Sequence, residues 1–411
     1  MSTYDLIVIG AGPSGMMAAI HAARRNKRVL ILEKLPQIAT KLKATGGGRC
    51  NLTNTLEIED FIFHFGKEGR FIAPALYALN SSALQDFFQE IGVSTHAPDG
   101  FRIFPVGHNS TSIIKALHQE IKRLEIKLLL STKITSLKVI DRKLLGVTNE
   151  EKKFFRSHNV LIATGGMGYP QLGAQGDGYR LAQTVGHTIK EPHPAMMPLQ
   201  TKENWVANCR ANTIPKAILR VALKKYQTLQ AQGDLIFTKH GIRGPVVLDF
   251  SREITPLLAK FNEVPIEVNL TKGMNEDQVH QHIKKEQQRQ LHPNTLSLIS
   301  SLIPESLTLE LCKIAQASPH AAWSKLSGST RNKIIKLLVK MPLTINGHDG
   351  FKMAMITRGG ILLKEVDPNT LESKKLKGLY FAGEVLDLDG PCGGYNLQWA
   401  FSSGYLVGMS C

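Results

Sequence analysis

The sequence predicts an α/β protein organised on a Rossmann-like, dinucleotide-binding sheet, and three stretches carry that expectation. The apolar run Leu6–Ile9 breaks at Gly10-x-Gly12-x-x-Gly15 and passes into a helical segment, Ser14–Arg25. A second apolar run, Arg28–Leu32, ends in Glu33. Far downstream, Asn159-Val-Leu-Ile-Ala-Thr-Gly-Gly166 and Gly378-Leu-Tyr-Phe-Ala-Gly-Glu384 are apolar strands that end in glycine loops. Strands that alternate with helices and are apolar throughout belong to a parallel sheet covered on both faces.

Each residue type in the first turn has a physical task. Gly10 makes the tight turn, Gly12 lets the backbone approach a pyrophosphate, and Gly15 lets helix and strand pack closely, with Pro13 and Ser14 between them. The helix start offers unpaired N–H groups and a positive dipole to phosphates. A carboxylate at Glu33, followed by Lys34, suits a ribose 2′-hydroxyl and repels a 2′-phosphate.

A chain of 411 residues can bury a large core and exceeds one typical domain, and its hydrophobic (43%) and charged (20%) fractions are those of a globular protein. No uninterrupted apolar run reaches the length of a membrane span, and the first strand starts too near Met1 for a signal peptide, so a cytoplasmic location is expected. The five cysteines are scattered without CxxC spacing, which argues against a disulfide framework or a metal site. The formal net charge of +16 favours encounters with polyanions. It reads either as an electrostatic footprint for nucleic acid or as mere solubility. The surplus is uneven: residues 21–54 hold eight Lys/Arg against one acidic residue, and residues 271–340 hold ten against five.

Following the chain, Lys41-Leu-Lys-Ala-Thr-Gly-Gly-Gly-Arg-Cys-Asn51 is a loop that must pass close to something, because adjacent glycines cannot form an ordinary helix or strand interior. Lys43 and Arg49 flank its glycines, as an anionic ligand requires. Gly47, Gly48, Cys50 and Asn51 are expected at a cofactor. Residues 55–125 read as mostly helical (73–80, 82–91 and 111–124), with a loop at 96–108 where Phe101, Arg102 and Phe104 could stack a planar group or simply pack. Strands follow near 127–130, 134–140, with Ile134 at its head, and 144–148.

The strand before Ala163-Thr-Gly165 completes a pattern typical of two-dinucleotide-fold flavoproteins. No second strand–GxGxxG–helix unit appears, so a nicotinamide donor, NAD(P)H, would visit without a Rossmann domain of its own. After Pro192 the rhythm stops. Short strands are expected at 217–224, 234–238, 246–249 and 266–270, as an inserted β domain, and His240 lies in one of its turns. Helices are expected from Asn275 to about Val339.

The last segment rejoins the first domain. Residues 351–363 read as strand with a Gly359-Gly360 turn. Gly383-Glu384 ends a strand where FAD enzymes hold the ribityl chain. The helix starting at Tyr395, Asn396 and Leu397 then points N–H groups to where a reduced flavin gathers negative charge. That arrangement selects FAD over NAD as the resident cofactor.

Gly46-Gly-Gly-Arg-Cys-Asn-Leu-Thr-Asn54, Ala163-Thr-Gly-Gly166, Phe237-Thr-x-x-Gly-Ile-x-Gly-Pro245, Gly378-Leu-Tyr-Phe-x-Gly-Glu384 and Gly393-Gly-Tyr-Asn-x-Gln-x-Ala400 together resemble the BaiN/RdsA-like FAD-dependent oxidoreductases over the whole chain. The resemblance implies three parts: an FAD domain (1–191 and 345–411), an inserted β-barrel-like domain (192–272 and about 340–344) and a helical domain (273–339). It implies hydride transfer from reduced flavin N5 to an electron-poor C=C bond. The bond is that of a uridine in 23S ribosomal RNA, giving dihydrouridine, or that of a small lipid-like enoyl substrate of bile-acid type. Cys50, which matches the Arg-Cys-Asn motif, is the candidate proton donor. A third reading is a flavin-loaded RNA-binding protein without turnover.

Overall fold

The computed structural model describes residues 3–411. They form two compact units, residues 3–193 with 355–411, and residues 194–354.

The first unit is built on five strands in the order Leu379–Phe381, Val160–Ile162, Leu6–Ile9, Val29–Leu32 and Lys127–Leu129. Their neighbours pair in parallel, with Ile9 opposite Ile162 on one side and Leu32 on the other. The four strands Leu6–Ile9, Val29–Leu32, Val160–Ile162 and Leu379–Phe381 are buried along their whole length, which explains their unbroken apolar runs. The chain order reverses at Leu6–Ile9, and an open α/β sheet has its crevice at the carboxyl ends of its strands at such a switch point. A second sheet carries the meander Ile134–Ile140, Lys143–Asn149 and Phe154–Ser157, with Thr3–Tyr4 parallel at its edge.

The first helix, Pro13–Arg24, packs against the last, Tyr395–Ser410. Glycines allow the approach. A Cβ on Gly408 would lie 2.6 Å from the Ala18 carbonyl oxygen, and one on Gly404 would collide with the Ser14 backbone. Arg25 tethers the same pair from outside, donating to the carbonyls of Gly408, Met409 and Cys411.

The second unit holds a closed barrel of six strands in the order Leu199–Thr201, Gly241–Arg243, Gln230–Phe237, Thr213–Val221, Val264–Asn269 and Met341–His348. Neighbouring strands are antiparallel and their inward residues alternate with outward ones, as in Val264–Asn269. The helices Glu276–Arg289, Thr295–Ile299, Glu305–Ala315 and Gly328–Val339 share one continuous apolar core with the barrel, from Leu219 and Val268 to Leu311 and Leu338. Asn275, Asn294 and Ser327 cap three of them.

Three expectations fail here, the first being the loop at 96–108, which contains a strand, Arg102–Pro105, paired with Thr53–Asn54 and Thr95–His96. Residues 246–249 are the start of a 17-residue helix, Pro245–Phe261, and not a strand. The Val-Val-Leu run mimics a strand, but Pro245 occupies the first helical turn and the buried positions Val246, Val247, Phe250 and Ile254 recur with helical spacing. Gly359 and Gly360 do not make a turn either. They lie inside the strand Ile356–Ile361 with φ of +106° and +135°, and a Cβ on Gly360 would sit 2.8 Å from the Val385 oxygen.

Behind the parallel sheet, His187 is buried and bridges Glu365 (Nδ1–Oε2 3.2 Å) and Ser373 (Nε2–Oγ 2.7 Å). Lys375 also pairs with Glu365 at 2.8 Å, and Thr188 donates to both its carboxylate oxygens. Burial lowers the His187 pKa, outweighing the Glu365 carboxylate. His21, with its Nε2 unpartnered, is lowered to about 4, by burial first and then by Arg24. The unfolded chain therefore binds protons that the folded one refuses, below the ordinary histidine value of about 6.5. Stability contributed by the two neutral rings is complete above that value and is lost as the pH falls. Thermal melts should give a constant midpoint near neutrality and a midpoint that drops on acidification from about pH 6.5 to about pH 5. Replacing His187 with Gln should flatten part of that drop, and an equal drop in the variant would count against the assignment.

Candidate functional site

At the switch point the first unit opens a long cleft with an empty volume of about 1320 Å³, its mouth included. Gly10, Gly12, Pro13, Ser14, Glu33, Lys34, Ile134, Ala163, Thr164, Gly165, Glu384, Asn396 and Leu397 all line it.

The geometry at one end is that of a pyrophosphate cradle. Gly10 has φ +106°, and a Cβ there would lie 2.5 Å from the Ala163 oxygen, so no other residue fits. Gly15 is equally tight against the Gly10 carbonyl, which keeps it out of the lining and makes its role one of packing. At Gly12 a Cβ would meet nothing within 4 Å and would simply project into open space. The helix it begins has no side-chain cap and no acidic residue in its first turn, so its N–H groups and dipole are left for an anion.

Glu33 is held rigidly by the N–H groups of Ala11 (2.7 Å) and Leu35 (2.9 Å). Each oxygen keeps acceptor capacity for a ribose hydroxyl. Lys34 turns to Asp177 and Gln175, and Asp177 also pairs with Arg180. The adjoining cleft wall includes Thr132, Lys133 and Leu181.

At the other end the C-terminal helix begins at Gly394 (φ +90°), again without a side-chain cap or an acidic first turn. The Asn396 side chain clamps the preceding loop through the Gly390 N–H (2.8 Å) and carbonyl (2.9 Å). Asn54 donates to the Gly393 carbonyl at 3.0 Å. Asn51, its amide oriented so that both ends are satisfied, donates to the Thr53 carbonyl and accepts from the Gly394 N–H, each at 3.0 Å. A Cβ on Gly394 would penetrate the Thr53 backbone. The glycine loop and the helix start are thus locked together, and the residues carrying the lock were legible as Asn51 and the paired glycines. Tyr395 is buried below the lip, ringed by Phe61 (4.7 Å between ring centroids) and His64 (5.2 Å).

Between the two ends, Lys41 Nζ pairs with Glu384 Oε2 at 2.6 Å, and Glu384 Oε1 accepts from the Thr357 N–H at 2.8 Å. Thr357 Oγ1 in turn accepts from the N–H groups of Met167 and Gly168. Sequence spacing pointed to Lys43, which is exposed and outside the lining. Residues 41 and 43 sit in the short helix Thr40–Ala44, where two positions differ by about 200° of rotation, so only one can face the cleft. Asp177, Lys41 and Thr357 left no sequence signal, since each acts across a large chain separation.

Gly46, Gly47 and Gly48 adopt φ of +58°, +66° and +89°, which only glycine takes without strain. Gly47, Gly48, Arg49, Cys50 and Asn51 do not line the cleft. Arg49 is exposed and lies over the Phe104 ring at 5.5 Å. Gly383 sits behind the lining against Ser14, held there by the N–H it donates to Ser403 Oγ (2.9 Å).

Cys50 is fully buried with φ +61°, and burial pushes its thiol up to about 12. A proton donor has to touch the substrate. Cys50 has no exposed surface with which to do so, and it shapes the loop instead. Among the described residues no cluster of His, Cys, Asp or Glu could hold a metal, and no helix is long and apolar enough to cross a membrane.

The donor set fits FAD. Two uncapped helix N-termini and a carboxylate fixed by two backbone N–H groups are the donors and acceptor that a cofactor with a pyrophosphate, a ribose and a flavin ring would use. The HI0933-like protein Rossmann domain family matches residues 4–410. The chain is 32% identical over 98% of its length, and 98% of the relative's, to the 3-dehydro-bile acid Δ4,6-reductase of Clostridium scindens. It is 28% identical over its full length, and 99% of the relative's, to the ribosomal RNA dihydrouridine synthase of Haemophilus influenzae. A solved structure of the 3-ketosteroid Δ4-(5α)-dehydrogenase of Rhodococcus jostii has the same fold. Its TM-score is 0.53 at 16% identity, covering 99% of this chain and 96% of the other.

Gly10→Ala should lower the flavin-to-protein absorbance ratio of the purified protein at least about tenfold while the protein still melts cooperatively, since about 1.4 kcal/mol already corresponds to tenfold. Thiol titration of the folded protein should modify exposed Cys392 first and reach Cys50, Cys209 and Cys312 only after denaturation. Rapid labelling of Cys50 would show that its loop opens.

Proposed function

The chain belongs to the HI0933-like Rossmann family, and from that premise we propose that this FAD-dependent oxidoreductase reduces the C5=C6 bond of a uridine in 23S ribosomal RNA to dihydrouridine. NAD(P)H serves as the transient electron donor, and the protein works in the cytoplasm. Relatives that match it over the whole chain are named for reduction of C=C bonds, in ribosomal RNA or in a bile acid.

One observation favours the RNA. On and around the barrel, Arg210, Lys216, Arg220, Lys224, Lys225, Lys239 and Arg243 are all exposed, and none of them is paired with a carboxylate among the described residues. Asp234 is the one acidic residue of the sequence between Arg210 and Arg243. Seven unpaired cations on one small β domain are unfavourable by mutual repulsion unless they meet a polyanion, and phosphates do so with release of counterions. The bile-acid reading draws on the somewhat higher identity of that relative, but a small lipid-like substrate gives these cations no task.

When bound, FAD supplies two-electron redox chemistry. The chain supplies the rest. Gly10, Gly12 and the first helix hold the pyrophosphate, Glu33 the ribose, and Lys41 with Glu384 the middle of the cleft. The uncapped start of the helix at Asn396 and Leu397 stabilises negative charge that develops beside it. The uracil ring takes a hydride at C6 and a proton at C5, and it has to leave its stack to do so.

Deletion of the gene should remove one dihydrouridine from 23S RNA, measured by nucleoside mass spectrometry. Unchanged dihydrouridine content would overturn the reading. Neutralising Arg220, Lys224 and Lys225 together should weaken RNA binding across sequences and make its salt dependence shallower, by about 1 in slope for every phosphate that one of these side chains neutralises. A slope equal to that of the parent would place the RNA elsewhere.

A further inference from the structure

At one end of the barrel, aromatic rings and lysines are interleaved on the surface of the second unit. The strands Thr213–Val221 and Gln230–Phe237 are joined by a loop that carries Lys224, Lys225 and Tyr226. The Ala222 N–H donates to the Pro265 carbonyl at 2.9 Å, which seats this loop beside the turn that follows the helix Pro245–Phe261. Phe261, the last residue of that helix, meets Tyr226 edge to face, their ring centroids 6.0 Å apart and their planes at 70°.

The two rings differ in what holds them. Tyr226 is half-buried and packs on the apolar core of the unit. Phe261 lies outside that core and is 41% exposed, so its accessible surface is open to a partner. Lys260 carries its ammonium over the Phe261 ring, 5.0 Å from the centroid. Lys224, Lys225 and Lys260 are all exposed, and none pairs with a carboxylate among the described residues. Glu263, two residues beyond the ring, is already taken by Lys202 at 3.0 Å. No acidic residue occurs in the sequence between Glu203 and Asp234.

An open aromatic ring among uncompensated cations suits a partner that is flat and apolar in places and negatively charged between them. Single-stranded nucleic acid has that chemistry, because any base can stack on a ring while the flanking phosphates meet lysines. A duplex keeps its base faces stacked and offers the ring nothing. An anionic bilayer would attract the lysines as well, but an interfacial helix buries a whole apolar face and here one ring is open.

We infer that Phe261, braced by Tyr226, is a stacking platform for one base of an unpaired RNA segment, with Lys224, Lys225 and Lys260 on the adjoining phosphates. The inference rests on the RNA reading above, which decides ribose over deoxyribose. It extends that reading by making the second unit select unpaired strands and not negative charge in general.

The test measures binding of the FAD-loaded full chain to a short oligouridylate, an abasic ribose-phosphate strand of equal length, an RNA duplex, inorganic polyphosphate and phosphatidylserine vesicles. Phe261→Ala should weaken the oligouridylate complex by between about fivefold and about 150-fold, the range for one base on one ring. It should leave the salt slope and the binding of the abasic strand, the duplex and polyphosphate as in the parent. Phe261→Trp, which keeps an aromatic face, should bind oligouridylate at least as well as the parent. Lys225→Ala should instead make the salt slope shallower, by about 0.7 for one phosphate of a single strand. Flavin content and a cooperative melt equal to the parent's would show that Phe261→Ala is folded. Unchanged oligouridylate affinity in Phe261→Ala, an equal loss on polyphosphate, or Phe261-dependent capture by the vesicles and not by the RNA would each overturn the inference. Loss of dihydrouridine on deletion of the gene, with RNA binding indifferent to Phe261, would sink the platform alone. Phe261-dependent binding with dihydrouridine unchanged would sink the proposed reaction alone.

Discussion

The site depends on a close approach between the two ends of the chain. The first helix and the last touch through glycines, with Gly404 against Ser14, Gly408 against Ala18, and Gly383 against the Ser14 hydroxyl. Their N-termini consequently open on one cleft, although nearly the whole sequence separates them. Any side chain at Gly404 or Gly408 would push the helices apart. The pyrophosphate end of the cleft would then lose its alignment with the end lined by Asn396 and Leu397. The energetic cost of glycine in a helix, roughly 0.5–1 kcal/mol relative to alanine, is tolerated twice there because packing requires it.

Electrostatics then follow from geometry more than from side-chain charge. Neither helix start carries a cap or an acid, so backbone N–H groups stay available where an anionic cofactor needs them. The formal charges in the cleft are largely committed to one another, Lys41 to Glu384 and Lys34 to Asp177. These pairs are only partly exposed, which makes them better at fixing side-chain positions than an exposed pair would be. Glu384 gains further order from the Thr357 N–H, and Thr357 from the loop at Met167. Four separate chain segments thereby register on one carboxylate.

The second unit has a different character. Its barrel and helices share a continuous apolar core, while its surface carries cations that have no carboxylate partners.

Much of the lining of the cleft was legible in the residues alone. Gly10, Gly12, Glu33, Ala163, Glu384 and Asn396 announce themselves because the chemistry of a tight turn, a phosphate cradle and a ribose contact admits few residue types at few spacings. The parallel sheet was legible for the same kind of reason, since strands buried on both faces must be apolar throughout. Tertiary structure decided the rest. Rotation within a five-residue helix put Lys41 and not Lys43 into the cleft, and burial turned Cys50 from a candidate acid into a packed thiol. The strand expected at residues 246–249 became a helix because a Val-Val-Leu run is equally apolar in either state, and only the barrel's demand for a covering helix resolves it. Local constraints are written in local sequence. The facing of a side chain, and the partner it meets across hundreds of residues, exist only once the chain has closed on itself.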